Sequence, residues 1–146
     1  MIIVLGGGPA GRIASIRLAN AGKAVTLVES GGIGGQCLHF GCMPVCALND
    51  VARFIRDSRR FADLSVTNQP VTVSFPQMQK EMHAIQQKIA GILDKETREA
   101  GVGIVYGKHG RLSGRQAFIG DERVESAAVI VATGSRPNVP KVEGVG

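Results

Sequence analysis

Two rhythms of apolar residues alternate along the chain. Short unbroken apolar runs occur at MIIVL (1–5), KAVTLVE (23–29), VGIVYG (102–107) and Ala127–Val131. Runs of this length suit strands buried on both faces. Between them the spacing is helical. Ile13, Ile16 and Ala19 predict a helix from Pro9 to about Asn20, with Gly22 as its stop. Pro44 fits the first turn of a second helix reaching about Leu64, with Leu48, Val51, Ala52 and Ile55 on one side. Met78, Met82, Ile85, Ile89 and Ile92 predict a third helix over about 76–100, ended by Gly101. They are expected in the core, the methionines as gap fillers. VTVSF (71–75) reads as a short extended segment and 30–41 as a glycine-rich loop. Residues 111–131 read as an antiparallel excursion turning at Gly120-Asp121. The opening strand–helix–strand is a βαβ unit, so the fold class expected is α/β, a parallel sheet with helices and a small antiparallel β excursion.

Composition narrows the function. Of 146 residues, 44% are hydrophobic and 20% charged, as in an ordinary globular domain. The 20 glycines are about twice the usual share. They cluster at 6–11, 31–41 and 101–114, which marks special backbone sites rather than low complexity. The net charge of +5 has one dense patch, Arg53, Arg56, Arg59 and Arg60. No aromatic residues interleave to stack bases, so the patch reads as a solvated helix surface and no nucleic-acid partner is expected. No apolar stretch approaches the ~20 residues of a membrane span, so no membrane partner is expected. The start of the chain lacks the basic leader of a signal peptide, and a soluble cytoplasmic protein is the expectation.

Gly6-x-Gly8-x-x-Gly11, with Pro9 and Ala10 between, follows a strand and opens a helix. The first glycine permits the tight turn and the second lets a pyrophosphate approach the backbone. The third lets helix and strand pack closely, and the helix N-terminus receives the negative charge. Glu29 ends the next strand, where a carboxylate can bind both hydroxyls of an adenosine ribose. A carboxylate there disfavours a 2′-phosphate. The pattern predicts a dinucleotide, FAD or NAD.

All three cysteines lie in GGQCLHFGCMPVCAL (34–48). Cys42 stands near a helix start, which favours the charge of a thiolate. Cys37, in the glycine-rich loop, can fold back onto it, the arrangement for dithiol–disulfide exchange. A zinc site usually needs a second ligand pair elsewhere, so no metal is expected here.

GGGPAG with Glu29, GGQCLHFGCMP with its four-residue gap between cysteines, and ATGSRPNVP at 132–140 stand in the order and spacing of a known family. The chain resembles the N-terminal segment of the pyridine nucleotide–disulfide oxidoreductases, the flavoprotein disulfide reductases, most of all their dihydrolipoamide dehydrogenase branch. The resemblance implies a Rossmann-like FAD-binding domain over 1–135, incomplete relative to the family. Residues 136–146 would be a linker toward a nicotinamide-binding domain absent from this chain, which would bind NAD(P). It implies FAD against Gly6, Gly8, Pro9, Ala10, Gly11, Glu29, Ser30, Gly35, Gln36, Gly41 and Cys46. Ala132, Thr133 and Gly134 would close over it, and His109 and Gly110 would lie near the adenine. It implies a redox-active Cys37–Cys42 disulfide, with Cys42 facing the flavin and Cys37 meeting the substrate.

By that resemblance the partner is a dithiol/disulfide small molecule or a lipoyl-protein, and the longer parent is a homodimer. This chain is then a truncated part, inactive alone. A mercuric or glutathione reductase-like activity and a non-catalytic redox-sensing module are the alternatives. Three positions depart from the family pattern. Gln36 stands where threonine is usual. Cys46 replaces a lysine that sits by the flavin, and reads as a small buried residue or a third thiol. His39 stands where asparagine is common, and reads as a solvated loop histidine.

Overall fold

The computed structural model describes residues 1–114, 116–136 and 138–144. Arg115 of the expected antiparallel excursion, and Pro137, Val145 and Gly146 of the expected linker, lie outside the described residues. The elements in chain order are β1 (Ile2–Leu5), α1 (Pro9–Asn20), β2 (Val25–Glu29), α2 (Gly35–His39), α3 (Cys42–Asp63) and α4 (Phe75–Glu99). They continue with β3 (Gly103–Tyr106), β4 (Gly110–Ser113), β5 (Gln116–Ile119), β6 (Glu122–Val124) and β7 (Ala128–Val131).

Four strands form a parallel sheet in the order β3-β2-β1-β7, and β4-β5-β6 form a separate antiparallel sheet. The unbroken apolar run of β1 is explained by two opposite packing partners. Ile3, Leu5 and Val28 pack with Ala117 and Ile119 of the antiparallel sheet. Val4, Val25 and Leu27 pack on the other face with Ile33 and Val102, against Leu18 and Ala19 of α1 and Ala90 and Leu93 of α4. The domain is thus layered: antiparallel sheet, parallel sheet, helices. Ile3, Val4 and Leu27 are completely buried. Each contributes about 1.5–3 kcal/mol relative to an exposed side chain. No helix among the described residues is long and apolar enough to cross a membrane.

Three expectations change. The supposed loop 30–41 contains a helix, α2. Gly34 and Gly35, at φ +105° and +56°, turn the chain, and the residues after them hold no helix breaker. VTVSF, expected as a short extended segment, joins neither sheet. Ser58 Oγ accepts from the Val71 amide at 3.0 Å, and Ser74 caps α4 through its Oγ and the Gln77 amide. Ala127–Val131 is not the end of the antiparallel excursion, because β7 leaves it and pairs parallel with β1, Ile2 opposite Ala128 and Leu5 opposite Val131. On α4, the stripe from Met78 to Ile92 is not the core face: Ile85 and Ile92 are exposed, and Met78, Met82 and Ile89 only half-buried. The face against the rest of the domain runs Gln86, Ala90, Leu93, Thr97. Thr97 is tolerated there because its hydroxyl donates to the Leu93 carbonyl at 2.6 Å.

Candidate cofactor and thiol site

The glycine loop is built by contacts that no side chain could share. A Cβ on Gly6, at φ +103°, would lie 2.3 Å from the Ala132 carbonyl oxygen, and one on Gly11 would lie 1.9 Å from that of Gly6. The strand end is held by amides of Gly6 and Ala132, which donate to the carbonyls of Val28 and Leu5 at 2.8 Å each. Gly8 precedes α1 without capping it by a side chain, and Pro9 opens the helix. First-turn amides of a helix have no intrahelical acceptor, so this end of α1 offers donors and a positive dipole end.

The cysteine segment is fastened directly onto that loop. The Gly34 amide donates to the Gly7 carbonyl at 2.9 Å. A Cβ on Gly35 would come within 2.8 Å of the Gly8 Cα, so two glycine backbones meet face to face. Glu29 closes the other side. Its Oε2 accepts from the Gly7 amide at 2.5 Å and its Oε1 from the Gly31 amide at 2.7 Å. Each oxygen retains a lone pair for a further donor.

These elements enclose a cleft of about 420 Å³. Its walls are Gly6, Gly8, Pro9 and Ala10 of the loop, Glu29, Gly35, Gln36 and Cys37 of α2, and Ala132, Thr133 and Gly134 after β7. Gly11 stands behind the loop as a packing residue. Ser30, Gly41, Cys42 and Cys46 are not in the wall. His109 borders a separate cavity with Lys108, Arg111 and Glu122, and Gly110 packs on Leu5, whose Cδ2 is 2.2 Å from where its Cβ would be.

Cys37 lies in α2 and Cys42 is the first residue of α3. Gly41 between them lets the helices meet, since a Cβ there would stand 3.0 Å from the Gln36 carbonyl and 3.3 Å from the Cys37 Cα. Both cysteines are free thiols. The Cys37 thiol is held above its ordinary value, first because it donates a hydrogen bond to the Cys42 sulfur, then by burial and by the like charge of Cys42. Cys46, expected to be buried, is exposed on α3. The reason is that α3 packs only through a narrow stripe, Pro44, Ala47, Val51, Ile55 and Ser58, and Cys46 lies off it, as do the exposed Val45, Leu48 and Phe54. His39 is not a solvated loop residue: it is half-buried, and its Nε2 meets the Ile33 carbonyl at 3.1 Å. Because a carbonyl only accepts, Nε2 carries the proton.

A second, smaller cavity of about 230 Å³ touches Cys37 from the helical side. Ile13 of α1, Leu38, Met43, and Ile89 and Leu93 of α4 make it largely apolar. Its one charged wall residue is Arg12, whose guanidinium pairs with Glu96 and whose Nε donates to the Leu93 carbonyl at 3.4 Å. Cys37 therefore borders both the cleft of the glycine loop and this apolar pocket. Arg12 and the buried Gln86 behind α2 were not evident from the sequence. The signal that could have found Gln86 is a polar residue in register with Ala90 and Leu93. Among the described residues, no group of three or more His, Cys, Asp and Glu side chains could hold a metal ion.

Comparison with known proteins agrees with this geometry. The family profile described as pyridine nucleotide-disulphide oxidoreductase matches residues 1–146. The chain is 32% identical to a dihydrolipoyl dehydrogenase of Staphylococcus aureus and to one of Bacillus subtilis, over 92% of this chain and 30% of each relative. It thus spans about a third of the length of those relatives. Among solved structures, a copper(II) complex of the HOCl-induced flavoprotein disulfide reductase RclA from Escherichia coli has the same fold. Its TM-score is 0.72 at 15% identity, over 97% of this chain and 29% of that one. A glycine loop on β1, an acid ending β2 and a cysteine pair fastened to the loop are thus joined to a family match over the whole chain, and the chain belongs to the pyridine nucleotide-disulphide oxidoreductase family.

Proposed function

We propose that residues 1–135 are the first segment of the FAD-binding domain of a dithiol/disulfide oxidoreductase in which Cys37 and Cys42 exchange electrons with substrate. Membership of the family implies FAD. The residues present fit it. The uncapped end of α1 and the bare backbones of Gly8 and Gly35 suit a pyrophosphate, and Glu29 has acceptor capacity for a ribose. Bound there, FAD supplies a two-electron acceptor for the dithiol, and a nicotinamide cofactor would be bound outside these residues.

The observation that supports exchange most directly is the position of Cys37 on two cavities at once. Substrate can reach its sulfur from the apolar pocket while the cofactor cleft lies on the other side. Starting from the protein disulfide, a substrate thiolate attacks Cys37 Sγ, the Cys37–Cys42 bond breaks, and Cys42 leaves as a thiolate. The second substrate thiol then loses its proton and attacks the mixed disulfide. Cys37 is released, and the substrate becomes a disulfide. Cys42 at the N-terminus of α3 stands where the helix dipole favours the departing charge. The dihydrolipoyl dehydrogenase relatives favour this dithiol-oxidising direction, with a lipoyl group as the substrate. The apolar lining, with Arg12 already paired, suits such a group better than an acidic peptide disulfide.

Glu29 gives a direct test of the cofactor site. Glu29→Gln removes the charge from two ribose hydrogen bonds, and charge-assisted bonds are worth about 1.5–3 kcal/mol each. The Kd for FAD, followed by quenching of flavin fluorescence, should rise roughly 10- to 100-fold. An unchanged Kd would place the dinucleotide elsewhere. One further reading is favoured by the exposure of Cys46: a redox-sensing module, in which the thiols respond to oxidants without turnover.

A further inference from the structure

α2 is only five residues long, and a helix that short does not hold its place by its own hydrogen bonds. Its last carbonyls have no partner within the helix. The partner comes from α4. Gln86 Nε2 donates to the Leu38 carbonyl at 2.8 Å and to the His39 carbonyl at 3.1 Å. Only the NH₂ end of the amide can serve two carbonyls, so its orientation is set by chemistry. Gln86 is 6% exposed, which makes it a buried polar side chain on the packed face of α4. Near its C-terminal end two other contacts hold the same short helix: Leu38 packs on Gly34, and His39 reaches the Ile33 carbonyl. These anchor α2 on its loop side. Gln86 alone of the three ties it to α4.

We propose that Gln86 is a positioning residue for the thiol pair: by bridging the Leu38 and His39 carbonyls it holds Cys37 at the spacing from Cys42 that disulfide formation requires. The inference rests on the reading of Cys37 and Cys42 as an exchanging pair. Cys37 precedes the first held carbonyl by one residue, so any displacement of the end of α2 moves its sulfur. Gln86 touches neither thiol and is not a catalytic residue.

The test is the equilibrium of the full chain with glutathione. The two protein thiols each lose a proton and together give two electrons to glutathione disulfide. A sulfur–sulfur bond forms in the protein as the one in glutathione breaks, releasing two glutathione thiols. This constant compares two folded states, so a substitution that merely destabilises the fold lowers both and cancels. Gln86→Met keeps the length and the helix propensity and removes both donors. Its equilibrium constant for disulfide formation should fall about tenfold, equivalent to about 30 mV for the two-electron couple. Gln86→Glu, which turns the donors into acceptors facing two carbonyls, should fall at least as far. A folded Gln86→Met chain within twofold of the parent overturns the proposal. A parent chain that forms no Cys37–Cys42 disulfide overturns the pair reading and this proposal with it. If both variants fail to fold, the side-chain amide protons of Gln86 in the ¹⁵N-labelled parent decide. Resonances that shift between the dithiol and disulfide forms support the role, and identical resonances overturn it.

Discussion

Alanine in place of Gly11 is expected to destabilise the domain by about 3 kcal/mol or more and to weaken binding in the glycine-loop cleft. The added Cβ would sit 1.9 Å from the Gly6 carbonyl oxygen and 3.2 Å from the Ala132 Cβ. The clash is with backbone, so no rotamer change relieves it. Gly6 cannot yield, because its amide is bonded to Val28 and its own missing Cβ faces the Ala132 carbonyl. α1 must therefore lift from β1, and its N-terminus moves away from the cleft. A denaturant titration gives the stability change. The FAD affinity, measured on the folded fraction, should drop by at least about tenfold, or roughly 1.4 kcal/mol. Gly91, in the interior of α4, gives the contrast: a Cβ there meets nothing within 4 Å, so the penalty belongs to the loop and not to glycine as such.

The largest effect on chemistry is expected at Cys37. In the proposed oxidoreductase, Cys37→Ser should reduce dithiol–disulfide turnover by at least about 10³-fold, since serine forms no disulfide and the reaction is left without its first covalent step. The fold and FAD binding should persist, because serine is smaller than cysteine and Cys37 is only half-buried at the cleft wall. Stopped-flow assay with reduced lipoamide and NAD measures the loss. Retained turnover would show that another thiol receives the substrate. A redox-sensing module, by contrast, would lose its response to oxidant without any turnover in the parent to lose.

Much of this site could be read directly from the chain, for reasons that differ by element. β1, α1 and β2 are consecutive, so their pairing is local and the apolar runs suffice to predict it. The glycine loop was legible because its first and third glycines answer a steric need, visible as Cβ clashes at Gly6 and Gly11. What was missed depends on distant partners. β7 pairs with β1 from the opposite end of the chain, and nothing in the run at Ala127–Val131 says which strand it joins. The working face of α4 was hidden because two of its positions, Gln86 and Thr97, are polar. They can be buried only because backbone carbonyls from α2 and from α4 itself satisfy them. α2 was hidden by its length, since five residues show no period, and its glycine-rich start resembled a loop.

The exposure of Cys46 follows the same logic. Helical spacing predicted a side for α3 but not what covers it, and Leu48, Val45 and Cys46 lie open. The pair Cys37 and Cys42 was legible by spacing. The close approach of their backbones was not: Gly41 allows α3 to begin against the backbone of Cys37.

The most direct measurement of the central claim is the visible absorption spectrum of the FAD-loaded protein before and after addition of two electrons. The expected result is an oxidised flavin spectrum that, on reduction, gains a long-wavelength charge-transfer band from a thiolate of the Cys37–Cys42 pair, a band that Cys42→Ser abolishes. Flavin that bleaches directly, with no such band in the parent protein, would contradict the coupling of the cysteines to the cofactor.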